Sequence, residues 1–389
     1  MSGFFVIDTK QEGLNGAIAG LLGDLLEKGG LDGVLVPCIM PYKKDEKIVM
    51  QTLVTDRKHL DQADPFAPVA TANSAKVLSS LTYQESGKKL AAVVRSCEAR
   101  AFIELVKLKQ ARLEDLLLIG IDCNGRYENN DYLRYASGGD EPSIEFLGAI
   151  HGGNGTVQAA DFDIAEACKS CEYPVAENVD MRLCVFGEDP RENIHLEVLT
   201  DKGREAVASL DLSPSEEPRE RQAAVEDLLQ DRLQHRDHAF AQMSDVIKKP
   251  EGILEIVGNC VNCYNCRVAC PVCYCRECVF VTDTFRHDSE KYFRWAEKKG
   301  RQKMPTDTVF YHLTRMLHMS TLCVGCGQCT SACPNDIPVG TLFRTIAKVT
   351  QERFEYRPGH DVAEPQPLTT FHSEELLEVT GQETALAGR

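Results

Sequence analysis

No apolar run in this sequence approaches ~20 residues, so nothing in it is suited to cross a bilayer as a helix. The chain begins MSGFFVIDTKQEG, with no basic stretch ahead of its short apolar run, so no secretory signal is expected. Positive charge is scarce: 43 Lys and Arg stand against 59 Asp and Glu, a net charge of −16. A nucleic-acid binder needs a basic face to neutralise phosphates, and this balance argues against that class. Aromatic residues make up 7% of the chain and Trp occurs once. A hydrophobic content of 43% over 389 residues still suffices for two or three domains with cores of their own. The expectation is a soluble, cytoplasmic protein.

Cysteine is what the sequence has in excess, with 17 in all. The cytoplasm keeps thiols reduced, so metal or cluster ligation is a more natural use for them than disulfides. Cys38, Cys97, Cys123, Cys168, Cys171 and Cys184 are scattered through the first half, whereas the other eleven fall between Cys260 and Cys333. That unevenness implies two kinds of domain.

Up to about residue 125, helical and strand patterns alternate. GAIAGLLGDLLEKGG (16–30), SAKVLSSLTYQ (74–84) and EARAFIELVKLKQ (98–110) carry apolar residues at helical spacing, and the first ends in a glycine pair suited to a C-cap. DGVLVPCIM (32–40), KLAAVV (89–94) and DLLLIGI (115–121) read as buried strands. Continuous apolar strands separated by helices predict an α/β domain with a mainly parallel sheet. HGGNGT (151–156) lacks the strand-before, helix-after setting of a phosphate loop and reads as a turn. The polar, Pro-punctuated SPSEEPRERQ (213–222) is the best domain boundary. Beyond it Val225, Leu228, Leu229 and Leu233 recur at helical spacing in a charged linker helix. The division expected is 1–212, an α/β domain; 213–250, a helical linker; 251–352, a mostly α-helical ferredoxin-type domain; and 353–389, an acidic, loosely held tail.

The bacterial ferredoxin signature C-x2-C-x2-C-x3-C-P occurs twice, as Cys260, Cys263, Cys266, Cys270, Pro271 and as Cys323, Cys326, Cys329, Cys333, Pro334. Three thiolates two residues apart on a turning loop reach three corners of one Fe4S4 cube, and the fourth reaches the neighbouring cube. The spacing therefore predicts one cluster on Cys260, Cys263, Cys266 and Cys333, and another on Cys323, Cys326, Cys329 and Cys270. Zinc also favours paired cysteines, but two complete copies of the longer pattern favour clusters. The wide gap between the motifs contains helix-like TVFYHLTRMLHM (308–319), and in this the region resembles the helical ferredoxin domains of heterodisulfide reductase and fumarate reductase iron-sulfur subunits. Cys273, Cys275 and Cys278 are surplus to two cubes; buried thiols, a partial third site shared with another subunit, and a redox-active pair all remain open. His312 and His318 read as packing or surface residues. Lys298, Lys299, Arg301 and Lys303 form a basic island that is either a solvated loop or a dock for an acidic redox partner.

Upstream, RSCEARA (95–101) and LIGIDCNGRY (118–127) place a cysteine just after a strand, where parallel sheets put functional groups, and EACKSCEY (166–173) adds a pair. Four thiols from three loops can close around another cluster or serve only structure. Cys38 and Cys184 sit in apolar strands and read as small core residues. This half resembles the beta subunit family of coenzyme F-420 hydrogenases and formate dehydrogenases over about residues 10–190. EGLNGAIAGLLGDLLEKGGLDGVLV (12–36) is similar to the family's glycine-rich opening helix, its usual Ser-Gly-Gly reading Leu-Asn-Gly. DPFAPVATANSAKVL (64–78) resembles the second flavin-contacting segment. AAVVRSCEARAFIEL (91–105), GIDCNG (120–125), CKSC (168–171) and DMRLCVFG (180–187) match its remaining elements. The family commonly puts its ferredoxin motifs before this domain rather than after it, and its Gly-Thr-Pro-Cys reads Arg-Ser-Cys-Glu here, which weakens the case for a deazaflavin substrate.

The resemblance implies Cys97, Cys123, Cys168 and Cys171 as ligands of a third Fe4S4 cluster, and an FAD near Asn15, Gly16 and Pro68 to Asn73. It implies an iron-sulfur flavoprotein, the electron-transfer beta subunit of an anaerobic oxidoreductase complex. Its partner would be a catalytic formate dehydrogenase or hydrogenase subunit, or heterodisulfide-reductase-like subunits. A flavin-free adaptor that only wires a catalytic subunit to a heterodisulfide-reductase-like complex is the alternative.

Overall fold

The computed structural model describes residues 3–41, 47–151 and 162–369. The HGGNGT stretch lies almost wholly outside them. LAAVV and LLLIGI are apolar on both faces and so require cover on both sides; they form the buried strands β4 (Leu90–Arg95) and β5 (Leu116–Ile121). Around them stand β1 (Gly3–Asp8), β2 (Gly33–Ile39), β3 (Val49–Val54), β6 (Met181–Cys184), β7 (Asn193–Val198) and β8 (Ser213–Ser215). The eight strands make one sheet in the order β3-β2-β4-β5-β6-β7-β1-β8. The β2, β4, β5 and β6 strands pair in parallel. β3 adds an antiparallel edge on one side, and β7, β1 and β8 an antiparallel flank on the other. The α/β class is as expected, with the parallel pairing concentrated at the centre of a mixed sheet.

Side chains alternate across a strand, and that parity sorts the core into two layers. Ala91 and Val93 of β4 face Leu14, Ile18, Leu22 and Leu25 of the helix Gly13–Glu27. Leu90, Ala92 and Val94 face the other way, toward the helices Ala75–Thr82 and Ser96–Lys107. The second layer does not stop at the sheet domain. It continues without a break into Val257, Val272, Phe280, Tyr311, Met316, Leu342 and Phe343 of the helix-rich cysteine module. One apolar layer therefore joins the two halves.

The charged linker is a single helix, Arg221–Ile247, whose buried residues are Arg221, Leu228, Arg232 and Phe240. Two arginines on its buried side are unusual, since such groups are buried only when paired. Arg221 forks onto Asp122 at the end of β5, its Nη2 lying 2.9 Å from Oδ1. The boundary segment 213–222 also contributes β8 to the sheet.

The expectation of a loosely held tail from residue 353 meets a different finding over 354–369. The buried Glu104 carboxylate accepts from the Tyr356 hydroxyl at 2.6 Å, the Gly359 amide at 2.7 Å and Gln366 Nε2 at 2.7 Å. Lys107 stands 3.3 Å from the same carboxylate. Residues 370–389 lie outside the described set. Glu104→Ala is expected to cost roughly 3 kcal/mol, because it strands a buried ammonium and three donors. Denaturant titration and limited proteolysis within 354–369 check this, and Glu104→Gln, which keeps an acceptor oxygen, is expected to lose less.

Candidate functional site

Two parallel strands deliver the first-half thiols. The β4 strand ends at Arg95 and hands directly to the helix Ser96–Lys107, whose second residue is Cys97. Cys123 stands two residues beyond β5. Cys168 lies in the short helix Glu166–Lys169, and Cys171 follows it. The carboxyl ends of neighbouring parallel strands are where α/β sheets gather functional groups. Here Cys97, Cys123, Cys168 and Cys171 line a single cavity with Arg95, Arg126 and Arg232. Burial pushes the Cys123 thiol up to about 11 and raises Cys97 and Cys168 as well. Arg95 and Arg232 pull Cys123 the other way, and Arg126 and Arg232 do the same for Cys168. Four thiols beside three guanidiniums suit a group that carries net negative charge through its thiolates.

The second set is built on paired short helices. Asn265–Ala269 follows the first motif's loop and Gln328–Ser331 the second's, and the two helices pack together. Cys270, Cys323, Cys326 and Cys329 line one cavity, the grouping predicted from the crossed ferredoxin pattern. Cys260, Cys263 and Cys266 lie on one loop and its helix. Cys333 follows the partner helix, and Asn335 beyond it donates to the Asn259 carbonyl beside Cys260. Among the described residues, no three His, Cys, Asp or Glu side chains are placed to hold a single metal ion. The thiols instead stand around spaces, as the corners of a polynuclear group do.

Arg315 is the cation of this region. Its Nη1 donates to Cys266 Sγ at 3.0 Å and its Nη2 to the Cys266 carbonyl at 3.1 Å. Its guanidinium carbon lies 4.8 Å from the Phe343 ring centroid, and the side chain reaches the Cys270 and Cys329 cavity. A fixed positive charge favours the reduced, more negative form of a cluster. If a cluster is held at Cys266 as the spacing predicts, Arg315→Met is expected to lower its midpoint potential by on the order of 50 mV, from the strength of a charge-assisted hydrogen bond. A redox titration followed by electron paramagnetic resonance reads the shift.

The two sets share a wall. Cys171 and Cys326 each line both cavities. Gly327, at φ +73°, makes the approach possible, since a Cβ there would fall 2.4 Å from Ala167 Cβ in the helix that carries Cys168. Gly125, at φ +106°, does likewise for the Cys123 loop, where a Cβ would lie 3.2 Å from Cys168 Cβ. Arg126 Nη2 donates to Ser331 Oγ at 2.6 Å, and Gln328 Nε2 to the Ala70 carbonyl at 3.0 Å. The second ferredoxin-type loop is thereby bound to the first-half site.

The residues that the resemblance places near a flavin divide. Asn73 lines the thiol cavity and lies against Cys326. Asn15 bonds Asp64, whose carboxyl burial pushes up, while its own Oδ1 is buried without a partner. Gly16 is next to it on the same helix. The Pro68 carbonyl accepts from the Tyr127 amide. A small crevice lies between Phe66, Phe146 and the Cys123 loop, bordered by Asn124, whose Oδ1 is also unpartnered. It has room for little more than a water molecule and does not fit a flavin's ring system.

Both histidines read as packing residues face thiols. His312 Nε2 is 3.4 Å from Cys260 Sγ, and burial lowers its pKa to about 4. His318 Nδ1 is 3.5 Å from Cys275 Sγ. Cys38 and Cys184 are buried in strands as expected. Sequence reasoning missed Arg95, Arg126, Arg232 and Arg315. Arg95 and Arg126 could have been noticed, because each lies within three residues of a candidate thiol.

Residues 255–337 match the 4Fe-4S dicluster domain. Over a much longer span the chain is similar to the F420-dependent formate dehydrogenase subunit beta of Methanocaldococcus jannaschii. The two are 25% identical over 374 residues, covering 90% of this chain and 93% of that one. It is likewise similar to the F420-dependent formate dehydrogenase 1 subunit beta of Methanococcus maripaludis, 26% identical over 386 residues, covering 91% and 92%. The resemblance read from the sequence thus extends over about nine tenths of the chain.

Proposed function

We propose that this chain is the electron-transfer beta subunit of an anaerobic, formate-dehydrogenase-type oxidoreductase complex. One observation carries the reading: Cys171 and Cys326 belong to both thiol cavities, so groups held in the two halves would be separated by little more than these side chains. In this reading Cys260, Cys263, Cys266 and Cys333 hold one Fe4S4 cluster, Cys323, Cys326, Cys329 and Cys270 the next, and Cys97, Cys123, Cys168 and Cys171 a third. When bound, such clusters carry single electrons and a flavin exchanges a pair. The chain's own residues fix these groups in a row and hold positive charge beside them with Arg95, Arg126, Arg232 and Arg315. Met316, Met319 and Phe343 exclude water from the path. FAD, which the resemblance implies near Asn15, Gly16 and Pro68 to Asn73, belongs to this reading on the relatives alone, since the crevice beside Phe66 and Phe146 is too small for it.

The relatives' names supply the remaining context. A catalytic formate-oxidising subunit would be the partner, and a deazaflavin the two-electron substrate. No helix among the described residues is long and apolar enough to cross a membrane, and a cytoplasmic site of action is part of the proposal. The flavin-free adaptor is the second reading, favoured by the small size of the space beside Phe66. Protein purified without oxygen, with its iron, sulfide and flavin counted, separates the two. About twelve irons and one flavin per chain support the subunit reading. Twelve irons without flavin support the adaptor, and about eight irons would remove the first-half cluster.

A further inference from the structure

Of the seventeen cysteines, only Cys263 is exposed. Its neighbour Val261 is 57% exposed and apolar. The basic segment 289–303 comes to this loop: Lys303 Nζ donates to the Cys260 carbonyl at 2.9 Å and to Thr308 Oγ1 at 2.9 Å. That segment holds six Lys and Arg against two acidic residues in a chain of net charge −16. Lys298, Lys299 and Arg301 on it are exposed, as is Met304, at 57%. Asp307, a carboxylate beside the thiol loop, accepts from Asn262 Nδ2 at 3.1 Å. Exposed thiol, apolar rim and basic island therefore stand together in a chain of acidic net charge.

From this the geometry points to a docking face around Cys263 for an acidic protein electron carrier, which exchanges one electron at a time with the outermost thiol-held centre. The inference rests on the electron-transfer reading and adds the place of exchange and the charge of the partner. Opposite charge concentrates such a carrier at the surface, raising the encounter rate in a salt-dependent way. The apolar rim then allows close approach once water is expelled. Lys303 holds the loop, whereas Lys298, Lys299 and Arg301 supply field alone.

The test uses cluster-loaded full-length protein and an acidic [2Fe–2S] ferredoxin reduced with dithionite. Reduction is followed by stopped-flow absorbance across a salt series, with reduced methyl viologen as a small reductant. The variant K298E/K299E/R301E is expected to slow reduction by ferredoxin about tenfold or more at low salt and to flatten its salt dependence. Its reduction by viologen is expected to be unchanged. A control, K10E/K58E/K88E, changes net charge equally on exposed side chains of the sheet domain. Equal slowing in both variants, unaltered rates in the first, or no salt-dependent reduction of the unmodified protein would each overturn the docking face. If viologen also fails to reduce any centre, the electron-transfer reading falls with it.

Discussion

Replacing Cys97 with serine is expected to lower the iron of anaerobically purified protein from about twelve atoms per chain to about eight. Cys97 is the first-half thiol delivered at the start of the helix after β4, and it lines the cavity with Cys123, Cys168 and Cys171. A cube that loses one thiolate corner exchanges a soft anionic ligand for a hard, protonated hydroxyl, and assembly there should fail. Electron transfer through the C-terminal pair should persist, while reduction of any two-electron acceptor should drop by orders of magnitude. Cys38→Ala is the matched control: Cys38 lies in the β2 core, where burial pushes its thiol up to about 11, and its loss should leave the iron count alone. Twelve irons retained in the Cys97→Ser protein would mean that Cys97 is not a required ligand, whereas about eight in the unmodified protein would mean that the first-half thiols are structural.

The second large effect concerns Asp122. Its carboxylate accepts the Arg221 fork and the backbone amides of Val185 at 3.0 Å and Phe186 at 3.3 Å. It therefore clamps the ends of β5 and β6 to the start of the 221–247 helix, one residue before Cys123. Asp122→Ala leaves a guanidinium buried with no counter-charge, a change that costs about 3–5 kcal/mol. Because Arg232 of the same helix donates to the Cys123 carbonyl, loosening the helix should also disturb the first-half thiols. Equilibrium denaturation and the iron count should thus move together. The double variant Asp122→Leu/Arg221→Met removes both charges and should recover most of the stability. A cost below about 1 kcal/mol for the single variant would show that the ion pair is not what holds the helix.

The parts of the fold legible in the sequence were those governed by short-range pattern. LAAVV, LLLIGI and GVLVPCI announce buried strands because each is apolar on both faces, and all three lie at the sheet's parallel centre. The flanking β1, β3, β7 and β8 were not visible. Val49–Val54 and Asn193–Val198 mix polar with apolar residues, and their pairing is decided by distant partners. The two ferredoxin signatures expose their own chemistry, since spacing alone dictates how thiols fall around a cube. The arginines of the site were hidden for the opposite reason. Arg232 is one charge among many in the helix Arg221–Ile247, and only the packing of that helix against the Cys123 loop gives it a role. The docked segment 354–369 was hidden too, because polar composition reads as solvated until Glu104 is found beneath it.

The absence of a side chain at Gly327 has a consequence for how the molecule comes into being. Because the second ferredoxin-type loop rests directly on the Ala167 side chain, the wall that Cys171 and Cys326 share between the two cavities closes only when the halves are docked. Separately expressed fragments ending and beginning near residue 250 should each keep the cysteines of their own sites but leave that wall open to water. Iron and sulfide loaded into either fragment should therefore be lost to a chelator faster than from the joined polypeptide or the mixed fragments. Docking of the halves is thus the step that seals the two sites, and the packing of Gly327 on Ala167 sets how near they stand.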